Sequence, residues 1–202
     1  GMPVAIHAIG DRGVQMALNA FEYSNHLELA NRVEHVELIQ PGTVDRFRQL
    51  SVTASMQPNH GTGVIGKYIT PRIGEEREQF AYVWNDFLKG GVRLALSSDF
   101  ATSPFSPLVQ LYDAVFRESP SGLYDGAWYP EQRISFDEAL YAYTQIGADL
   151  SGWGDKIGSI TVGKWADFAI LDIRLSDPVG KELKDASVSK TFFAGKEVYS
   201  KN

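Results

Sequence analysis

The sequence predicts an α/β fold in which four βα units build a parallel sheet curved as in a barrel, followed by a small β-rich appendage. Three observations carry that prediction. Short apolar runs rich in β-branched residues alternate with longer stretches whose apolar positions recur at helical spacing. Within the runs, small or polar residues alternate with bulky apolar ones, so one strand face packs on helices while the other lines an interior. From Ile157 onward, short glycine-punctuated runs replace that rhythm.

The first run, Val4 to His7, ends in Ala8-Ile9-Gly10-Asp11, and Val14, Ala17, Leu18 and Phe21 mark the face of the helix that follows. The second run, Arg32 to Ile39, stops at Pro41-Gly42, and Thr43 is placed to N-cap a helix carrying Val44, Phe47 and Leu50. The third, Ser51 to Gln57, breaks at Pro58 into a long irregular loop through Gly74. A helix with Ala81, Trp84, Phe87 and Leu88 then ends at Gly90-Gly91. The fourth run, Val92 to Ser98, leads through Asp99 to a helix with Leu108, Leu111, Tyr112 and Val115. After a loop over 119–132, Ser135-Phe136-Asp137-Glu138 carries the Ser-x-x-Glu signature of a capping box and opens a helix through Tyr143 towards Ala148. In the tail, 158–160, 168–171, 191–194 and 198–199 read as short strands.

Composition narrows the function. A chain of 202 residues with 44% hydrophobic side chains can bury a core. Nineteen basic against 25 acidic side chains give a net charge of −6 with both signs interspersed, so no basic stripe tracks a phosphate backbone and nucleic acid is not an expected partner. The absence of cysteine excludes disulfides, thiolate catalysis and Cys-based metal sites, so any metal must rest on His, Asp or Glu. No apolar run approaches the roughly 20 residues that cross a bilayer, and no basic, apolar and small-residue zones open the chain, so a cytoplasmic protein without a membrane partner is expected. Gly1-Met2 reads as a cloning remnant, with the chain beginning inside a structural element.

His7, His35, His60 and Asp99 fall at or near the ends of the four runs. Alternation opposes Thr53, Ser55 and Gln57 to Val52, Ala54 and Met56, and Ala95, Ser97 and Asp99 to Leu94 and Leu96. His7, Gln57 and Asp99 should therefore face inward at C-terminal strand ends, where barrels place their chemistry, while His35 shares the face of Val33. Singly, a buried His is usually hydrogen-bonded and inert, and an Asp after a strand is usually a turn former. Jointly, at equivalent termini, they make an imidazole and carboxylate set suited to zinc, iron, nickel or manganese. Such an ion lowers the pKa of water to about 7, and Asp99 is placed to relay the proton. The remaining histidine, His26, reads as a helix-end surface residue.

Two other motifs are weaker. Gly61 to Gly66 matches a dinucleotide fingerprint but lies between Pro58 and Pro71 without the required second strand ending in an acid, and reads as a flexible substrate loop. Glu75, Glu76 and Glu78 are explained by a helix N-terminus. There is no Gly-x-Ser-x-Gly elbow for serine hydrolysis.

The segments His7-Ala8-Ile9-Gly10-Asp11, Val33-Glu34-His35, Gln57-Pro58-Asn59-His60, Ser98-Asp99, Trp128 to Arg133 and Gly163 to Asp167, in that order, resemble the metal-dependent amidohydrolase superfamily. More narrowly they resemble its amidohydrolase-3 branch, which includes N-substituted formamide deformylase-like enzymes. The resemblance implies the C-terminal half of a (β/α)8 TIM barrel over residues 1–150 and a segment of a small β-sandwich over 151–202. It implies His7, His35 and Asp99 as metal ligands, Asp99 also as proton shuttle, and His60 and Gln57 as substrate contacts. Glu34 would at best support His35, and is otherwise an ion pair with Arg32. The implied cofactor is a divalent metal, zinc being the expected ion, with one or two ions in the whole protein. The implied reaction is hydrolysis of amide-like C–N bonds in a small-molecule substrate. The family's strand-one His-x-His pair and strand-four Lys or Glu have no counterpart here, and a whole barrel takes about 250 residues. A homo-oligomer, or pairing with a missing N-terminal half, is therefore expected. Two further readings stay open: a catalytically silent fragment or interaction module, and a barrel isomerase or lyase using the same His and Asp set.

Overall fold

The structure, a computed structural model, describes residues 1–118 and 126–201, so the expected loop over 119–132 lies partly outside the described residues. Strands β1 (Ala5–Ala8), β2 (Arg32–His35), β3 (Thr53–Met56) and β4 (Leu94–Leu96) form one sheet in the order β1-β2-β3-β4, parallel throughout. Helices follow the strands as the sequence rhythm predicts. Their outward residues Val33, Ala54, Met56, Leu94 and Leu96 are buried against the helical layer. Paired positions in a parallel register share a face, so Ala5, His7, Arg32, Glu34, Thr53, Ser55 and Ala95 line the opposite, inner face.

α1 (Asp11–Ser24) buries Val14, Ala17, Leu18 and Phe21, the positions its spacing marks, and ends at Asn25 in the left-handed conformation that Asn tolerates. α2 (Thr43–Gln49) starts one residue earlier than expected. Gly42 is the N-cap, with φ 80°, and Thr43 is already helical because its hydroxyl is spent on the carbonyl of Gln40 at 2.6 Å. The expected loop between Pro58 and Gly74 is instead helical: α3 (Pro58–Thr62) and α4 (Val64–Ile73), followed by the short α5 (Glu75–Glu78). Pro58 occupies the first turn of α3, where its missing N–H costs nothing. The glycines there serve close packing rather than flexibility. A Cβ on Gly61 would lie 2.9 Å from the Tyr82 ring, and one on Gly66 would collide with the carbonyl of Gly61.

α6 (Trp84–Lys89) packs on β4, with Phe47 and Phe87 edge to face at 5.0 Å, and α7 (Pro107–Phe116) packs chiefly on α3. The capping box at Ser135 forms in full: Glu138 N–H donates to Ser135 Oγ at 3.2 Å, and Ser135 N–H donates to Glu138 Oε2 at 2.8 Å. Its helix is interrupted at Thr144, giving α8 (Phe136–Tyr143) and α9 (Gln145–Leu150). In the tail, β5 (Phe168–Leu171), β6 (Val188–Phe193) and β7 (Lys196–Ser200) form an antiparallel sheet, while 158–160 is not a strand. β6 and β7 join through Ala194-Gly195, both at positive φ, as a tight hairpin requires. The 3-10 turn over Lys181–Asp185 inserts Leu183, wholly buried, into the same core as the parallel sheet. No helix among the described residues is long and apolar enough to cross a membrane.

Candidate active site

The site begins with a break in backbone alternation. Strict alternation would turn His35 outward with Val33. His35 and Val36 instead adopt φ values of 79° and 50°, and β2 ends there rather than running on to Ile39. A left-handed β-branched residue costs of order 1–3 kcal/mol and persists only where its surroundings hold it. Here Val36 is fully buried, its N–H bonds Ala8 O at 3.1 Å, and the N–H of Leu38 bonds Ile9 O at 3.1 Å. The result corrects the sequence reading of the face: the His35 ring lies edge-on to the inward His7 ring at 4.4 Å and is stacked with the His60 ring at 5.8 Å. Asp99 is also left-handed, φ 52°, and its carboxylate Oδ2 stands 3.7 Å from His60 Nε2. The four positions singled out in the sequence thus converge at the C-terminal end of the sheet.

Hydrogen bonds fix how each ring is presented. His35 Nδ1 meets Gln57 Oε1 at 3.0 Å, and Gln57 Nε2 donates to Ser97 Oγ at 2.8 Å. In this amide orientation Gln57 Oε1 can only accept, so His35 Nδ1 carries the proton and Nε2 is the nitrogen that a metal or ligand can use. Gln57, expected to touch substrate, has both amide ends engaged in supporting His35. His60 Nδ1 meets Glu37 Oε1 at 3.0 Å, and the hydroxyl of Tyr82 donates to Glu37 Oε2 at 2.9 Å. Glu37 and Tyr82 escaped the sequence reading, which weighed Glu34. Glu34 pairs instead with Arg32 on the inner face. Alternation offers no signal for Glu37, because the left-handed break at His35 and Val36 interrupts the extended chain just before it.

One ligand atom each from His35, Glu37 and His60 lies within 4.8 Å of the others, all three residues buried. Each Glu37 oxygen already accepts one hydrogen bond, which makes it a weaker candidate for an ion than the imidazole nitrogens and Asp99. His60 Nε2 is a buried nitrogen without a hydrogen-bond partner, a costly state unless something binds there. The His35 ring, the exposed His7 ring 4.4 Å from it and the nearby Asp99 carboxylate form a donor set that fits a divalent cation of the zinc type.

α7 holds α3, and with it His60, from behind. Gln110 Oε1 accepts from the Asn59 N–H at 3.1 Å and Asp113 Oδ2 from Asn59 Nδ2 at 2.7 Å. Burial lifts the Asp113 carboxyl from its ordinary 3.8 to about 7, against the opposing pull of hydrogen bonds from Asn59 and Thr62. A raised carboxyl pKa means that the folded state keeps a proton the unfolded chain has lost, so stability should fall as pH rises from about 4 to about 7. Asp113→Asn is expected to flatten that slope and to match or exceed the parent stability above pH 7. Urea unfolding midpoints measured from pH 4.5 to 8 check this; an unchanged slope would assign the dependence to other groups.

Comparison with known proteins bears on this geometry. The sequence profile of the amidohydrolase family matches residues 1–199. Protein LONG AFTER FAR-RED 3 of Arabidopsis thaliana is 36% identical over 98% of this chain and 34% of its own length. The N-substituted formamide deformylase of Arthrobacter pascens is 30% identical over 96% of this chain and 36% of its own. The chain thus spans about a third of the length of the curated relatives it matches. Among solved structures, an uncharacterized metal-dependent hydrolase from Pyrococcus furiosus superposes with a TM-score of 0.67 at 35% identity, covering 81% of this chain and 32% of that one.

Proposed function

The chain belongs to the amidohydrolase family, and on that premise we propose that it forms the catalytic C-terminal part of a metal-dependent hydrolase that cleaves amide-like C–N bonds. The observation that carries this reading is the convergence of His7, His35, His60 and Asp99 at one end of the parallel sheet, with a buried imidazole nitrogen left open. His7, His35 and Asp99 would hold the ion, zinc being the best match to two imidazoles and a carboxylate. When bound, such an ion makes hydroxide available at neutral pH. Asp99, with a side chain 40% exposed, can take the proton of the attacking water and deliver it to the departing nitrogen. His60 presents Nε2 to the substrate, and Gln57 keeps His35 in the tautomer that binds through Nε2.

In this reading the four parallel strands are half of a (β/α)8 barrel within residues 1–150, and β5 to β7 belong to a small sandwich within 151–202. The exposed His7 and the unpaired edges of β1 and β4 would be covered by an N-terminal half or a second copy. The substrate class, a small N-substituted amide, is supported by the name of one relative, N-substituted formamide deformylase. Elemental analysis of the whole protein should find a divalent metal, and chelation should lower hydrolysis of simple N-substituted amides by at least about 100-fold, restored by zinc. Hydrolysis that survives complete removal of metal would overturn the proposal.

A further inference from the structure

Behind His60 lies a closed chain of buried polar groups that the ligand set does not use. Glu37 is 4% exposed, His60 3% and Tyr82 1%. Each Glu37 oxygen has one donor, Nδ1 of His60 at 3.0 Å and the hydroxyl of Tyr82 at 2.9 Å, and the backbone carbonyl of Glu37 accepts from the N–H of Tyr82 at 2.8 Å. Tyr82 is fixed in turn. Its φ is 53°, its ring lies where a Cβ on Gly61 would come within 2.9 Å, and its carbonyl accepts from Arg117 Nη1 at 2.8 Å. A carboxylate has only acceptors to offer, so its contact with Nδ1 of a neutral imidazole requires the proton to sit on Nδ1. The other nitrogen then carries a lone pair, and that nitrogen is the buried one facing Asp99 at 3.7 Å.

We infer that Glu37, braced by Tyr82, is a positioning residue rather than a metal ligand: it locks His60 as the Nδ1–H tautomer and leaves Nε2 as an acceptor for a donor group of the substrate. This rests on the proposed reading of His60 as the substrate-facing side chain, and it adds to that reading which atom does the work and what orients it. The alternative, Glu37 as third ligand beside His35 and His60, would have a carboxylate oxygen that already accepts a hydrogen bond serve an ion as well.

The test reads the tautomer directly. Nitrogen-15 NMR of the metal-free whole protein at pH 8, with the His60 signals identified by their loss in His60→Gln, should show Nδ1 protonated and Nε2 unprotonated. A proton on Nε2 in the parent chain overturns the inference, and this measurement needs no variant of Glu37 to fold. In Glu37→Ala, His60 should populate both tautomers; a tautomer unchanged from the parent also overturns it. In the whole protein, Glu37→Ala should lower kcat by about 10- to 100-fold with KM and metal content kept, the range typical of groups that orient a functional histidine. Loss of the metal in that variant would make Glu37 a ligand and overturn the positioning role. Should hydrolysis prove independent of metal while the tautomer is as stated, the hydrolase reading falls and the orientation of His60 by Glu37 stands.

Discussion

Asp99→Asn is expected to reduce turnover of the whole protein by about 10²- to 10⁴-fold, the usual worth of a positioned general acid and base, with little change in thermal stability. The substitution preserves shape and one carbonyl oxygen while removing both the negative charge and the capacity to carry a proton between water and leaving group. Its side chain is 40% exposed and ends 3.7 Å from His60 Nε2, so little of the fold depends on it. Steady-state kinetics on an N-substituted amide, with metal content measured in parallel, separate its two roles. A variant that keeps its metal and loses kcat has lost the shuttle; one that loses both has lost a ligand. Turnover within about tenfold of the parent, where proton transfer is worth at least about 10², would remove Asp99 from the chemistry.

Arg117→Ala should produce the largest loss of stability, about 3–5 kcal/mol, which for a chain of this size lowers Tm by about 10 °C or more. Arg117 is wholly buried at the end of α7. Its guanidinium lies 4.1 Å from the ring centre of Trp84 and 4.8 Å from that of Trp128, and it donates to the carbonyls of Trp128 at 2.6 Å and Tyr82 at 2.8 Å. Truncation leaves a cavity between two indoles and takes the donors from two carbonyls, and these costs add. Arg117→Lys should fall between, because an ammonium keeps the charge without the planar fork that reaches both carbonyls. Calorimetric melts of the three chains check the order. A melting temperature for Arg117→Ala within about 2 °C of the parent, less than one kcal/mol at this size, would refute the assignment. Because one of those carbonyls belongs to Tyr82, the same substitution should also disturb His60 through Glu37.

The parallel order of β1 to β4, the buried face of α1 and the capping box at Ser135 were legible because each depends on a local pattern: alternation at period two, apolar spacing at three and four, or a cap and its partner three residues apart. The segment from Pro58 to Ile73 misleads for the converse reason. Its glycines and prolines carry the composition of a loop, yet their conformation is decided by a ring 21 positions away: Tyr82 packs where Gly61 has no side chain.

The candidate site divides along the same line. The amino-acid order alone places His7, His35, His60 and Asp99 near equivalent strand ends, because strand termini and residue types are properties of short stretches, and the absence of cysteine limits any metal set to imidazole and carboxylate. Which way His35 points, which nitrogen the His35 and His60 rings offer, and that Glu37, Tyr82, Asp113 and Arg117 stand behind them were settled by contacts between residues 22 to 54 positions apart in the chain. Alternation cannot foresee a left-handed break such as that at His35 and Val36. Its local cost is offset only by burial and by backbone bonds to Ala8 and Ile9, which exist once the sheet has assembled.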